Sequence, residues 1–300
     1  MMNSFVITVD SNCDLPPEYI QEHHIEVLPM PFDLDDVAHN FGYWQEISGK
    51  DYYDALRNGS VARTTLINTE TFVTAFTEYA RLEKDAIFLV LSSGLSATYQ
   101  NAEIALQKVK ESYPDCHIYV IDSLNASSGH GLLAILAAQK REKGLSAGET
   151  AAWLEEKKHT CFSLFTVDDL MYLHRGGRLS KLSAVAGSVL GVKPILNIEP
   201  DGTLKLKEKA RGRKAALKQL VSQLKQIVGP NNTLDTLFVN HTDCLEDAQT
   251  LAEMIKSAVN VRNVVVMMVG PVIGAHLGPG AITLLFEANM TREEYESKGT

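Results

Sequence analysis

The chain has 300 residues and a formal net charge of -9, with a pI near 5.5 and no run of Lys or Arg longer than a pair. That excludes the concentrated basic footprint of a nucleic-acid surface, and no stretch reaches the about 18 apolar residues of a membrane span. The N-terminal MMNSFVITVD carries no basic leader, and Cys13, Cys116, Cys161 and Cys244 show no C-x-x-C spacing, so the expectation is a cytoplasmic protein with reduced thiols and no zinc site.

Apolar runs and turn residues predict, in order, a strand over 5–9, a helix over 16–24, a strand over 26–32 and an irregular acidic stretch. An amphipathic helix over 69–81, a strand over 86–91, a helix over 98–113, a strand over 117–121 and a helix over 129–143 follow. Such alternation specifies an α/β fold with a mostly parallel sheet, whose ligand crevice lies at the carboxyl ends of the strands. After a helix over 147–158 the texture changes: strands over 193–199 and 203–209 flank Pro200-Asp201-Gly202 as a hairpin. A helix over 213–228, a strand over 236–239, a helix over 245–258, strands over 263–269 and 281–287, and a polar tail over 291–300 complete an α+β pattern. The predicted layout is two domains, an N-terminal parallel-sheet, Rossmann-like domain over 1–160 and a C-terminal α+β domain over 161–300.

Five segments carry candidate chemistry. DAIFLVLSSGLSATYQNA, over 85–102, sets a buried strand, a hydroxyl-rich loop and a helix start end to end. Ser92, Ser93 and Ser96 there stand beside the unpaired N–H groups of a helix beginning near Ser96 or Ala97, an arrangement suited to a small anion; the plainer reading is Ser96 as a helix cap. Asp10 and Asp14 follow the first strand and could hold a metal or act as acid and base, but a cap at Asp14 ahead of Pro16-Pro17, with Asp10 bracing neighbouring loops, is the stronger reading. Gly129-His130-Gly131-Leu132-Leu133-Ala134 matches G-x-G-x-x-A, yet residues 123–128 separate it from its strand, too many for the tight turn of a dinucleotide fingerprint, and close helix packing explains the glycines. Arg175-Gly176-Gly177-Arg178 brings two guanidinium groups around a glycine turn, either toward one anion or as solvated arginines on a Gly C-cap. In the Gly/Pro loop over 272–281, the lone His276 is either a satisfied structural residue, the commoner case, or a donor that a rigid loop brings to a carboxylate.

Taken together, these segments resemble the DegV family of bacterial fatty-acid-binding proteins. The resemblance runs from Asp10-Ser11 and Asp14-Leu15-Pro16 through Ser92-Ser93-Gly94-Leu95-Ser96-Ala97-Thr98-Tyr99-Gln100, Asp122-Ser123, Leu173 to Ser180 and Lys193-Pro194-Ile195-Leu196 to His276-Leu277-Gly278-Pro279-Gly280. It implies a long-chain, palmitate-like fatty acid between two α/β domains, its tail in an apolar tunnel. Its carboxylate would be held by Thr64 and Ser96, with Ser93, His276 and Arg175 near the head group or a partner. It further implies a lipid carrier without a cofactor or catalytic residues, which in some members presents its ligand to a separate fatty acid kinase. The chain departs from the family pattern at Thr64-Thr65-Leu66-Ile67, where T-S-Q-P is usual, and at Ala97, where Gly is usual. The alternatives are a nucleotide-dependent phosphotransferase or oxidoreductase built on the G-x-G-x-x-A and Arg-Gly-Gly-Arg segments, and a regulatory interaction protein whose lipid is structural.

Overall fold

In the computed structural model, which describes residues 5–41, 46–178 and 191–298, the first half forms a four-stranded parallel sheet. Ile25–Leu28, Val6–Asp10, Ala86–Val90 and Ile118–Asp122 lie side by side in that order. Ala86–Val90 is buried at every position, so its sequence, AIFLV, runs apolar without alternation. Phe88 turns to one face, where Phe76 of the helix Thr69–Arg81 meets it edge-on with ring centroids 4.6 Å apart. Ile87 and Leu89 turn to the other and join Leu133 and Ala134 of the helix Ser128–Glu142.

The second half forms a six-stranded mixed sheet in the order Leu204–Arg211, Val192–Ile198, Cys161–Thr166, Ile282–Glu287, Thr233–His241 and Asn260–Met268. All neighbours are antiparallel except the last pair. The predicted hairpin is present: Gly202, at φ 78°, closes it with its N–H on Glu199 O at 2.9 Å. Helices Arg213–Val228 and Leu245–Lys256 cover one face through Leu220, Leu224, Leu251 and Ile255. The other face meets Ser128–Glu142, whose neighbours include Phe238 and Leu285 as well as the parallel sheet. Wedged between two sheets, that helix is buried nearly all round and has little polar face.

Tertiary contacts override the sequence reading in four places. The stretch read as one strand and an irregular acidic tail divides between sheets: Ile25–Leu28 stays parallel, whereas Met30–Leu34 pairs antiparallel with Val37–Phe41 and Ala62–Thr64. Its turn is Asp35-Asp36, at φ 51° and 64°, the doubly left-handed geometry for which Asn-Gly or Asp-Gly is the usual signal. The segment read as a loop around His276 is a helix, Pro271–Leu277, with Pro at its first turn. The polar tail is the helix Arg292–Lys298, anchored by a buried Arg292 that donates to Leu124 O and Glu199 O, each at 2.9 Å; residues 299–300 lie outside the described residues. Asp14 does not cap the helix that the prolines open. The cap position of Pro17–Glu22 is Pro16, and the Asp14 carboxylate instead accepts from the Ser127 hydroxyl and, at 2.8 Å, from the Gly270 N–H.

Candidate functional site

At the carboxyl edge of the parallel sheet, Asp10 and Asp122 tie the loops they begin to the serine loop between them. Asp10 accepts from Leu91 N at 2.8 Å and Asn12 N at 3.3 Å, which is the bracing role expected of it, and Asp122 accepts from Ser93 N at 3.1 Å. Burial raises the Asp10 carboxyl above its ordinary range, opposed by the nearby His130. Ser92 turns its hydroxyl to Gly202 O at 2.8 Å, and a Cβ at Gly94 would stand 2.6 Å from that carbonyl. The serine loop is thereby seated on the hairpin of the second half. Helix Thr98–Ser112 starts two residues after Ser96, whose Oγ accepts from Thr98 N at 3.2 Å and lies 2.8 Å from Thr98 Oγ1. That contact resembles a cap one step early.

Inward of Ser96 lies a cavity with room for the centre of a water molecule over about 160 Å³, roughly ten times what one water needs. Thr64, Ser96, His276 and Arg178 line it together with aliphatic side chains from both halves, including Met30, Leu91, Ile198, Leu204 and Leu285. Thr64 Oγ1 is 2.9 Å from His276 Nε2, while His276 Nδ1 is buried with no hydrogen-bond partner. Burial pushes the His276 imidazole down to about 4, with the Arg178 charge acting in the same direction, so the ring is neutral at pH 7 and carries one donor. Arg178 supplies a fixed positive charge, its Nε donating to Leu95 O at 3.0 Å and its guanidinium also to Gly176 O.

The Arg-Gly-Gly-Arg segment is the glycine C-cap of its plainer reading, and it sends its two arginines different ways. Helix Met171–Arg175 ends with Gly177 at φ 73°, Gly177 N on His174 O and Arg178 N on Leu173 O, both at 3.0 Å; this is the Schellman geometry that calls for glycine. The same turn brings Arg178 to the cavity and leaves Arg175 exposed over the Tyr172 ring. Gly176 is glycine for a different reason, since a Cβ there would sit 2.1 Å from His276 Nδ1. Leu179 and Ser180 of that motif lie outside the described residues.

Of the residues singled out from sequence, Thr64, Ser96 and His276 therefore face one cavity, whereas Ser93 and Arg175 do not line it. Arg175 borders a separate surface recess with Arg63, Arg178, Thr64 and His276. Sequence reasoning passed over Arg178 in favour of Arg175; the signal lay in the second glycine, which fixes where the helix stops. Of the departures from the family pattern, Leu66 and Ala97 line the cavity, and Ile67 is buried in the core. The glycines of G-x-G-x-x-A are packed against protein: a Cβ at Gly129 would stand 2.3 Å from Asn125 Oδ1, and one at Gly131 2.5 Å from Cys13 O. Among the described residues no cluster of His, Cys, Asp and Glu could hold a metal ion, and no helix is long and apolar enough to cross a membrane.

The profile of the DegV family, described as uncharacterised proteins, matches residues 4–289. The chain belongs to the DegV family. A DegV domain-containing protein of Clostridium perfringens is 40% identical over 286 residues, covering 95% of this chain and 98% of that protein. Among solved structures, a Thermotoga maritima protein whose structure is described as revealing fatty acid binding function superposes with a TM-score of 0.83 at 27% identity, covering 96% of this chain and 100% of that one. DegV of Bacillus subtilis, described as a fatty acid binding protein, gives a TM-score of 0.78 at 29% identity over 96% of this chain and 100% of that one. Relatives with this DegV fold have thus been solved as fatty-acid binders, and the parallel sheet, the mixed sheet and the cavity bordered by both halves are this chain's version of it.

Proposed function

We propose that this DegV protein is a cytoplasmic carrier of a long-chain fatty acid, held in the cavity with its carboxylate on Thr64 and Ser96, and that it presents the acid to a separate kinase that forms the acyl phosphate. One observation carries the reading: the Thr64 and Ser96 hydroxyls, a neutral imidazole and a guanidinium line one cavity whose other walls are mostly apolar. The units 1–160 and 161–300 form its two lobes, and the free cysteines suit a reducing compartment. Burying about a dozen methylenes at about 0.8 kcal/mol each contributes roughly 10 kcal/mol before ordering costs. A hydrogen bond to a charged carboxylate adds about 1.5–3 kcal/mol. The tail therefore sets affinity, and Thr64 and Ser96 set register and which end faces out. The recess bordered by Arg63, Arg175 and Arg178, reached past Thr64 and His276, offers cations where a partner enzyme would add phosphate. Native mass spectrometry of protein purified from cells tests the reading: a mass increment of one fatty acid supports it. Protein that emerges empty and takes up neither palmitate nor oleate overturns it.

A further inference from the structure

The wall that the six-stranded sheet gives to the cavity is not uniformly apolar. In the antiparallel pair Cys161–Thr166 and Ile282–Glu287, Phe165 lies opposite Thr283 and Ser163 opposite Leu285. All four side chains line the cavity, so two hydroxyls stand diagonally across a face otherwise made of Phe and Leu. Their hydrogen-bonding states differ. Ser163 donates to Asn125 Oδ1, which leaves its oxygen free to accept. Thr283 is 5% exposed, and its Oγ1 is buried with no hydrogen-bond partner. Its other cross-strand neighbour, Asn240, spends its amide N–H groups on Ser127 Oγ at 3.0 Å and Ser128 Oγ at 2.7 Å, and its Oδ1 is likewise buried and unpartnered.

A buried hydroxyl without a partner is costly and uncommon, and here it borders an open volume. Diagonal residues across an antiparallel pair stand about 7–8 Å apart at the backbone, a spacing that one oxygen between two hydroxyls on the same cavity wall can bridge. A hydroxyl meets both demands, accepting the Thr283 proton and donating its own to Ser163. A keto oxygen satisfies only Thr283, and a methylene satisfies neither. We propose that Thr283 and Ser163 form a hydroxyl-recognising subsite in the cavity wall, and that the preferred ligands are long-chain fatty acids bearing a hydroxyl on the chain, apart from the carboxylate. This deepens the fatty-acid reading above and rests on it.

The test is calorimetric titration of delipidated full-length protein with palmitate and with hydroxypalmitates substituted at successive positions, using wild type, Thr283→Val and Thr283→Ser, with circular dichroism to verify folding. At least one positional isomer is expected to bind wild type about 3–10-fold more tightly than palmitate, the range of one net hydrogen bond. Thr283→Val is expected to erase that preference while holding palmitate at least as well, and Thr283→Ser to keep it. If palmitate binds but no isomer exceeds it, the unpaired hydroxyl is met by water and the subsite does not exist. Equal weakening of palmitate and hydroxypalmitates by Thr283→Val also overturns it, because Thr283 then acts on the carboxylate or on the fold. Only failure of every acid to bind would remove the fatty-acid reading as well.

Discussion

Two segments bring Ser96 and His276 to the cavity, and they are built differently. The serine loop takes its local shape from its own sequence, through the apolar strand Ala86–Val90, a turn with Leu95 N and Ser96 N on Ser92 O, and a helix starting at Thr98, and remote contacts to Asp10, Asp122 and Gly202 only seat it. The segment bearing His276 is set from a distance. Tyr52 and Tyr53 of the helix Gly49–Arg57 donate to Pro271 O at 2.8 Å and Val269 O at 2.7 Å, and Asp14 accepts from Gly270 N. Gly274 is glycine because a Cβ there would fall 2.4 Å from Tyr53 Oη. A binding site can thus join one half that local chemistry specifies to another that exists only once remote parts of the chain have packed.

The largest break in that contrast is expected at Asp14. Burial raises its carboxyl to about 7, against hydrogen bonds from Ser127 and Gly270 that favour the charged form. The folded state therefore holds a proton that the unfolded chain has released between pH about 4 and 7, and stability falls as pH rises through that window by up to about 1.4 kcal/mol per unit. His276, lowered to about 4, acts oppositely between about 4 and 6.5, so the comparison must be with Asp14→Asn, which keeps His276. Urea midpoints for that variant are expected to gain on wild type from pH 5 to about pH 7 and to level off above it. Gly274→Val comes next: Tyr53 is fully buried and hydrogen-bonded, so overpacking is expected to cost about 2–3 kcal/mol, read as a lower midpoint and weaker palmitate binding together. Ser96→Ala is the smallest for the fold, at about 0.5–1 kcal/mol for a lost cap-like contact. Loss of a bond to a carboxylate there is expected to weaken palmitate by roughly tenfold or more. Equal damage to stability from Gly274→Val and Ser96→Ala would erase the distinction.

The same division explains what was legible in the sequence. Helices Thr69–Arg81 and Arg213–Val228 and the strand Ala86–Val90 follow from periodicity and length. Ser96 and the Arg-Gly-Gly-Arg turn follow from capping chemistry. Pro271–Leu277 did not, because a proline and a glycine in seven residues, with Gly270 before them and Gly278-Pro279-Gly280 after, signal a loop, and its helix is held by Tyr52, Tyr53 and Asp14 from far along the chain. The small antiparallel sheet was hidden for a related reason: its turn uses Asp35-Asp36 in place of a glycine. Thr64 was found through the family resemblance and not through its local sequence, since Ala62–Thr64 is three residues long and meets His276 only in three dimensions.

The most direct test of the account is a crystal structure of the delipidated protein with palmitate. The account predicts the chain inside the cavity with its carboxylate oxygens about 2.5–3.2 Å from the Thr64 and Ser96 hydroxyls. Palmitate bound outside the cavity, or inside it with the carboxylate away from both hydroxyls, would contradict it.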